Sequence, residues 1–132
     1  MSGLVPLRAI LLAGLRGDAA LMALVNSVED MGVAKRTAPA IVLGQLAASE
    51  WGGRGIRGLT VRVPITLIDR SDVPDRLDAA AARIDAVMDS LPEAAGDWRI
   101  GTVAFYRSRA LRGGDGQWSM MIDYRVRLSR IV

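Results

Sequence analysis

The sequence predicts an α+β fold, a mostly antiparallel four-stranded sheet with helices packed on one face, in the order α-α-β-β-α-β-β. Three observations carry this reading. Residues 59–67 and 117–128 alternate apolar and polar side chains, the period of a strand with one buried face. Residues 4–16 and 72–91 place apolar side chains at helical spacing. Glycine-bearing turns join neighbouring strands on either side of the long helix, so the pairs are hairpins and the sheet is an α+β layer.

In the first helix Pro6 suits the opening turn. Leu7, Ile10, Leu11, Gly14 and Leu15 share a face, and Gly17 ends it. Asp18 is placed to cap a second short helix, A-A-L-M-A-L-V, packed down by Leu21, Met22, Leu24 and Val25. Residues 26–38 have no strong period and read as a loop or a short irregular edge. Ile41, Val42 and Leu43, between Pro39 and Gly44, form a short strand with little polar surface. A long, wet connection follows, Q-L-A-A-S-E-W-G-G-R-G-I-R-G, with Gly52, Gly53, Gly55 and Gly58 and one large apolar group, Trp51. A loop of that length which keeps a tryptophan points to function. In the strand after it Leu59, Val61, Val63, Ile65 and Leu67 face one way and Thr60, Arg62, Pro64 and Thr66 the other. Pro64 cannot donate to a ladder, so the strand should lie at an edge or bulge there.

Ser71 and Asp72 are placed to cap the long helix, with Pro74 near its start and Asp75 and Asp78 in its early turns, where the macrodipole favours anions. Its apolar stripe is Val73, Leu77, Ala80, Ala81, Ile84, Met88 and Leu91; Pro92 ends it. Asp97–Arg107 is apolar on both sides, which predicts a covered central strand. Residues 107–116 form a turn-rich tip with Asp115-Gly116 as the turn signal. In the last strand Trp118, Met120, Ile122, Tyr124, Val126 and Leu128 face inward, and Ser119, Asp123, Arg125 and Arg127 outward. The expected core includes Val61, Val63, Ile65, Leu77, Ile84, Met88, Trp118, Ile122 and Tyr124.

Composition limits function. A chain of 132 residues with 51% apolar and 23% charged residues is one globular domain, spanning 1–132. No apolar run is long enough for a membrane span, and the apolar N-terminus lacks the basic segment of a signal peptide. There is no cysteine and no histidine, hence no disulfide framework, no thiolate or Ser-His pair and no imidazole ligand. The glycine-rich segments R-G-G-D-G and W-G-G-R-G are not phosphate loops. The expectation is a protein that is not an enzyme, with no cofactor and no metal. Net charge is +3, carried almost wholly by arginine, with Lys35 the one lysine. A GC-rich genome accounts for that bias; interfaces built on bidentate arginine contacts are a second account.

Two functional classes remain. The strand R-I-G-T-V-A-F-Y-R is similar to the aromatic strand of an RNA-recognition sheet, with Phe105 and Tyr106 as stacking candidates. This supports, as the alternative, a small basic nucleic-acid-binding α+β module. Adjacent aromatics face opposite ways, however, so at most one stacks and the other joins the core, and the arginines are scattered. The second class is an assembly protein. Over nearly its whole length the chain resembles the tail-completion, or tail-terminator, proteins of long-tailed phages and phage-like gene transfer agents. The likeness lies in order and spacing. An apolar first helix and an Asp18-led short helix precede P-A-I-V-L-G at 39–44. A Trp51 loop leads to an alternating strand ending in Asp69-Arg70. A helix of about five turns and a strand pair with G-D-G-Q-W at 114–118 complete it. The stretch 26–38 is weaker than the short strand the family carries there.

The resemblance implies a structural ring subunit, a homohexamer. It implies a ring that caps the head-proximal end of a tail tube, ends tube polymerisation and joins the tail to a head-tail connector or stopper protein. DNA would pass through the lumen without sequence specificity. The protein would assemble in the bacterial cytoplasm, away from membranes, as part of the tail. A ring needs two complementary patches on each subunit. Asp75, Asp78, Asp85 and Asp89 form an acidic strip on the long helix; such rows are usually solvated, and otherwise await a basic partner. Trp51, Arg54 and Arg57 form the opposing arm, with Arg112 and Asp115 at the second tip. Trp51 either tucks onto its own sheet or inserts into a neighbouring subunit or the tube.

Overall fold

The computed structural model describes residues 3–31, 37–70 and 75–131. Within them the chain forms α1 (Leu4–Arg16), α2 (Ala19–Met22), β1 (Ser27–Asp30), β2 (Ala40–Leu43), β3 (Ala47–Gly53), β4 (Ile56–Asp69), α3 (Asp75–Asp89), β5 (Ala94–Ala95), β6 (Trp98–Arg112) and β7 (Trp118–Ile131). The expected cap at Ser71 and Asp72, with Val73 and Pro74, lies outside the described residues, as do residues 32–36 of the expected loop.

The four-stranded, mostly antiparallel layer expected from the sequence is not what forms. The sheet has seven strands in the order β1-β2-β4-β7-β6-β5, with β3 joined to β4 beside β2. It is mixed, because β1 and β2 run parallel, and it curls strongly into a half-barrel. The curl brings both ends of the strand order to α1, which touches β1 and β5, so the helices sit in a trough. The extra strands carry no period-two signal. Ser27–Asp30 has one apolar residue, Ala47–Gly53 is exposed along nearly all its length, and Ala94–Ala95 is two residues long.

Packing follows the apolar phases. Leu7, Leu11 and Leu15 of α1 are fully buried. They share one core with Val61, Val63, Ile65, Leu77, Ile84, Met88, Ile122 and Tyr124. Trp118, expected with them, is half-buried, because it occupies the last β4–β7 pair, opposite Asp69, where the sheet ends. Asp18 caps α2 as its sequence predicts, accepting from the Leu21 N–H at 2.9 Å.

Pro64 meets its expected edge locally, inside a strand that is otherwise central. It sits inside β4 in unbroken register with Asp123 of β7. The break is in the strand opposite its other side. β2 pairs β4 at 65–68, β3 pairs it at 56–62, and Pro64 falls in the gap between them, its carbonyl accepting from Gly44 N–H at 2.8 Å. The missing donor therefore meets a place where the ladder has already ended.

The strand beginning near Asp97 is not central. β6 is covered by β5 only at Trp98 and Arg99, and from Gly101 to Arg112 every residue except Val103 is exposed. Two register shifts, at Ile100/Val103 and Phe105/Arg107, explain its two-sided apolar pattern. The bulges break the alternation that would have marked one face.

Candidate assembly surfaces

Residues 45–58, expected as a flexible loop, form most of a regular hairpin. β3 and β4 pair from Ala47↔Arg62 to Gly53↔Ile56, leaving Arg54-Gly55 as a two-residue turn in which Gly55 has φ +77°. Trp51 lies flat on Gly58. A Cβ on Gly58 would come within 2.3 Å of the indole ring, so only glycine fits beneath it. The Arg127 guanidinium carbon lies 4.0 Å from the ring centroid. The structure thus takes the first of the two courses open to Trp51, against its own sheet. Its buried Nε1 has no partner among the described residues. Arg54 is exposed at the tip, and Arg57 lies 4.0 Å from Glu50 with both side chains well exposed.

On the other flank, Asp75, Asp78, Asp85 and Asp89 are all exposed along α3. Tyr124 donates its hydroxyl to Asp85, which sets the strip beside β7. Burial, and then the Asp85 carboxylate, push the Tyr124 hydroxyl far above its ordinary pKa. Asp75, Asp78 and Asp89 have no ion pair among the described residues. The two arginines of α3 are committed elsewhere: Arg76 donates to buried Asp69 at 2.8 Å and Arg83 to Asp18 at 2.6 Å. The Arg83 hydrogen bonds hold the Asp18 carboxyl below its usual range.

The sheet face away from the helices is basic. Registers of β4, β6 and β7 place Arg62, Arg99, Arg107, Arg109, Arg125 and Arg127 on it, with Asp123 as the acid those three strands contribute. Asp123 accepts from Arg107 at 3.0 Å and lies 3.6 Å from Arg62. Arg125 stacks 3.7 Å from the centroid of Tyr106. Phe105 is on the opposite side, edge-on to Tyr124 at 6.1 Å. Phe105 and Tyr106 are 56% and 43% exposed, so neither is the core residue expected of one of them.

The second tip spans Gly113–Gln117, closed by Gly113 N–H to the Gln117 carbonyl at 2.7 Å. Asp115 accepts from Gln117 N–H and lies 3.9 Å from Arg70, and Arg112 stacks over Trp118 at 5.7 Å. The two tips stand at opposite ends of the β4–β7 ladder. Registers put Trp51 on the face away from the helices, and Arg57 on the helix-facing phase of β4. Arg125, Arg127 and Arg62 were not among the expected interface residues. Their outward phase was legible, but their convergence on one face depends on the β4–β7 register.

Among the described residues no cluster of three or more acidic residues is placed to hold a metal, and no helix is long and apolar enough to cross a membrane. Charged flanks, arginine-aromatic stacks and exposed strand edges define a protein that works through contact surfaces. The chain belongs to the tail completion protein gp17 family, whose model matches residues 9–129, a family of structural proteins of phage-type tails. The fold is also that of a chain in the virion of a native gene transfer agent particle. That chain is 20% identical, with a TM-score of 0.79 over 93% of this chain and 94% of that one. No curated protein matches the sequence.

Proposed function

We propose that this chain, as one domain over 1–132, is the subunit of a homohexameric ring on the head-proximal end of a phage-like tail tube. The ring ends tube polymerisation, receives the head-tail connector or stopper on its other face, and lets DNA through without sequence-specific contact. It assembles in the bacterial cytoplasm and performs no catalysis. The observation that carries the reading is the pairing of two unlike flanks. An acidic α3 strip has its own arginines engaged by Asp69 and Asp18, and an arginine-tipped β3–β4 hairpin projects at the end of the sheet. A head-to-tail ring needs such unlike, complementary patches. In it Arg54 and Arg57 of one subunit meet Asp75, Asp78, Asp85 and Asp89 of the next. The tips at Arg54 and Asp115 then address tube and connector from opposite ends. The nucleic-acid-module reading is weaker, because Arg125 already covers a face of Tyr106 and Phe105 lies on the other side of the sheet.

A charge exchange tests this. Arg54→Glu with Arg57→Glu in one variant, and Asp78→Arg with Asp89→Arg in another, should each remain monomeric in mass photometry. Mixed, they should recover even-numbered rings, because every joint then pairs opposite charges. In particles carrying either variant alone, tails should run to irregular length or fail to join heads. Normal rings from each variant alone would exclude this contact.

A further inference from the structure

We infer that the open edge of β6, from Ser108 to Arg112, takes β3 of a second copy as an antiparallel strand, so that the sheets of neighbouring subunits run together. The inference rests on the ring reading above and names its joint.

Backbone parity locates the free groups. Pro64 has no N–H and its carbonyl bonds Gly44, so the Pro64–Asp123 pair makes no ladder bonds between β4 and β7. Antiparallel ladders alternate; Asp123, Met121 and Ser119 therefore bond toward β6, where they face Arg107, Arg109 and Leu111. The Gly113–Gln117 bond at the turn has the same parity. Ser108, Ala110 and Arg112 are left with N–H and C=O pointing away from the sheet. The same parity makes Ala47, Ser49, Trp51 and Gly53 bond to β4, as the two-residue turn at Arg54-Gly55 requires, and leaves Ala48, Glu50 and Gly52 pointing outward. Each edge offers three residues.

Edges are normally protected, and most of this sheet is. On β1, Arg16 donates to the Val28 carbonyl at 2.8 Å. The first half of β6 is bulged. Beyond Arg107 the strand is regular, and it exposes Leu111 at 48%. Charge selects the occupant. The regular stretch carries Arg109 and Arg112 and no acid, so pairing with itself would gather arginines with no counter-charge. β3 carries Glu50 and no cation, and the registers put Glu50 on the same side of the sheet as Arg112. The two edges lie toward opposite ends of the strands. Joining them tilts the strands around the ring, as closing any sheet into a barrel requires. The neighbour's Arg54 and Arg57 then fall beside Phe105, near Asp85 and Asp89.

The test removes one outward donor at a time. Ala110→Pro and Glu50→Pro each delete an N–H that no internal bond uses, so each variant should fold yet stay monomeric where the wild-type chain forms rings. Mixed, they retain one intact joint and should give a 1:1 dimer and nothing larger. Hydrogen exchange on the unmodified chain gives a readout that needs no substitution. On ring formation the amides of Ala110, Arg112, Ala48 and Glu50 should slow roughly tenfold or more, while those of Arg109 and Leu111, bonded in both states, should not. Rings from Ala110→Pro, or unchanged exchange at those amides in rings, would overturn the edge assignment and leave the ring standing. Protection gained only against tail tubes would overturn it in favour of the tube protein. A wild-type chain that never forms rings, with or without tubes, would overturn both.

Discussion

The arginines of the two flanks do different things. On the helical flank each is tied to a specific acceptor. Arg8 bonds Asp30 and the carbonyls of Leu43 and Gly44, Arg16 bonds Val28, Arg76 bonds Asp69 and Arg83 bonds Asp18. These bonds join separate elements and are partly buried, where a charge-assisted hydrogen bond is worth most. On the sheet flank Arg99, Arg109, Arg125 and Arg127 have no carboxylate partner among the described residues. The last two lie over aromatic rings instead. One residue type thus serves as weld and as contact surface, and what separates the two uses is whether an acceptor lies within reach.

The largest expected effect tests the welds. Arg76→Ala leaves the carboxylate of Asp69, 1% exposed, without its guanidinium. Breaking a buried pair costs about 3–5 kcal/mol. The lower end applies, since Asp69 keeps the Arg70 N–H at 2.7 Å; chemical denaturation measures it. A loss below about 1 kcal/mol, the range of exposed pairs, would erase the distinction between flanks. Ile122→Ala, in the core shared by both flanks, should cost about 2–5 kcal/mol. A melting temperature near wild type would contradict the β4–β7 register. A smaller effect depends on pH. The folded-state pKa of Asp18 is lowered, so its contribution is present above the ordinary carboxylate value and is lost as pH falls through the folded value. Asp18→Asn should therefore flatten the acid limb of the stability profile below about pH 4 and leave the neutral-to-alkaline limb parallel to wild type.

These predictions rest on elements of unequal legibility. The two long alternating strands, the helices and most of the core could be read directly, because Val61, Val63, Ile65, Ile122 and Tyr124 keep one phase throughout. β1, β3 and β5 could not. Ser27–Asp30 buries Val28 alone and is otherwise held by β2 and by Arg8 and Arg16, and β3 is a strand because β4 pairs with it, not because its own side chains are buried. Backbone pairing with a neighbouring strand made these strands, and the pattern of their own side chains carries no trace of it. The same cause misplaced β6, whose bulges mix its faces. Of the surface, the acidic strip was visible because four aspartates recur at helical spacing. The gathering of arginines from β4, β6 and β7 was not, because it needs the register.

The smallest effect is the sharpest test of the contrast. Arg127 has no carboxylate partner among the described residues, and its visible interaction is the stack on Trp51, which also packs on Gly58. Cation–π contacts at exposed sites are worth about 0.5–1 kcal/mol, so Arg127→Ala should lower stability by no more than that. It should also uncover the indole, which in a background with Trp98 and Trp118 replaced by phenylalanine would show as faster quenching of the remaining fluorescence by iodide. Arg127→Lys should quench at an intermediate rate, since an ammonium covers less of the ring than a planar guanidinium. A loss above about 2 kcal/mol would mean that Arg127 is a weld like Arg76, because a surface contact alone does not reach that size. The line between the flanks would then have to be redrawn through the middle of the sheet.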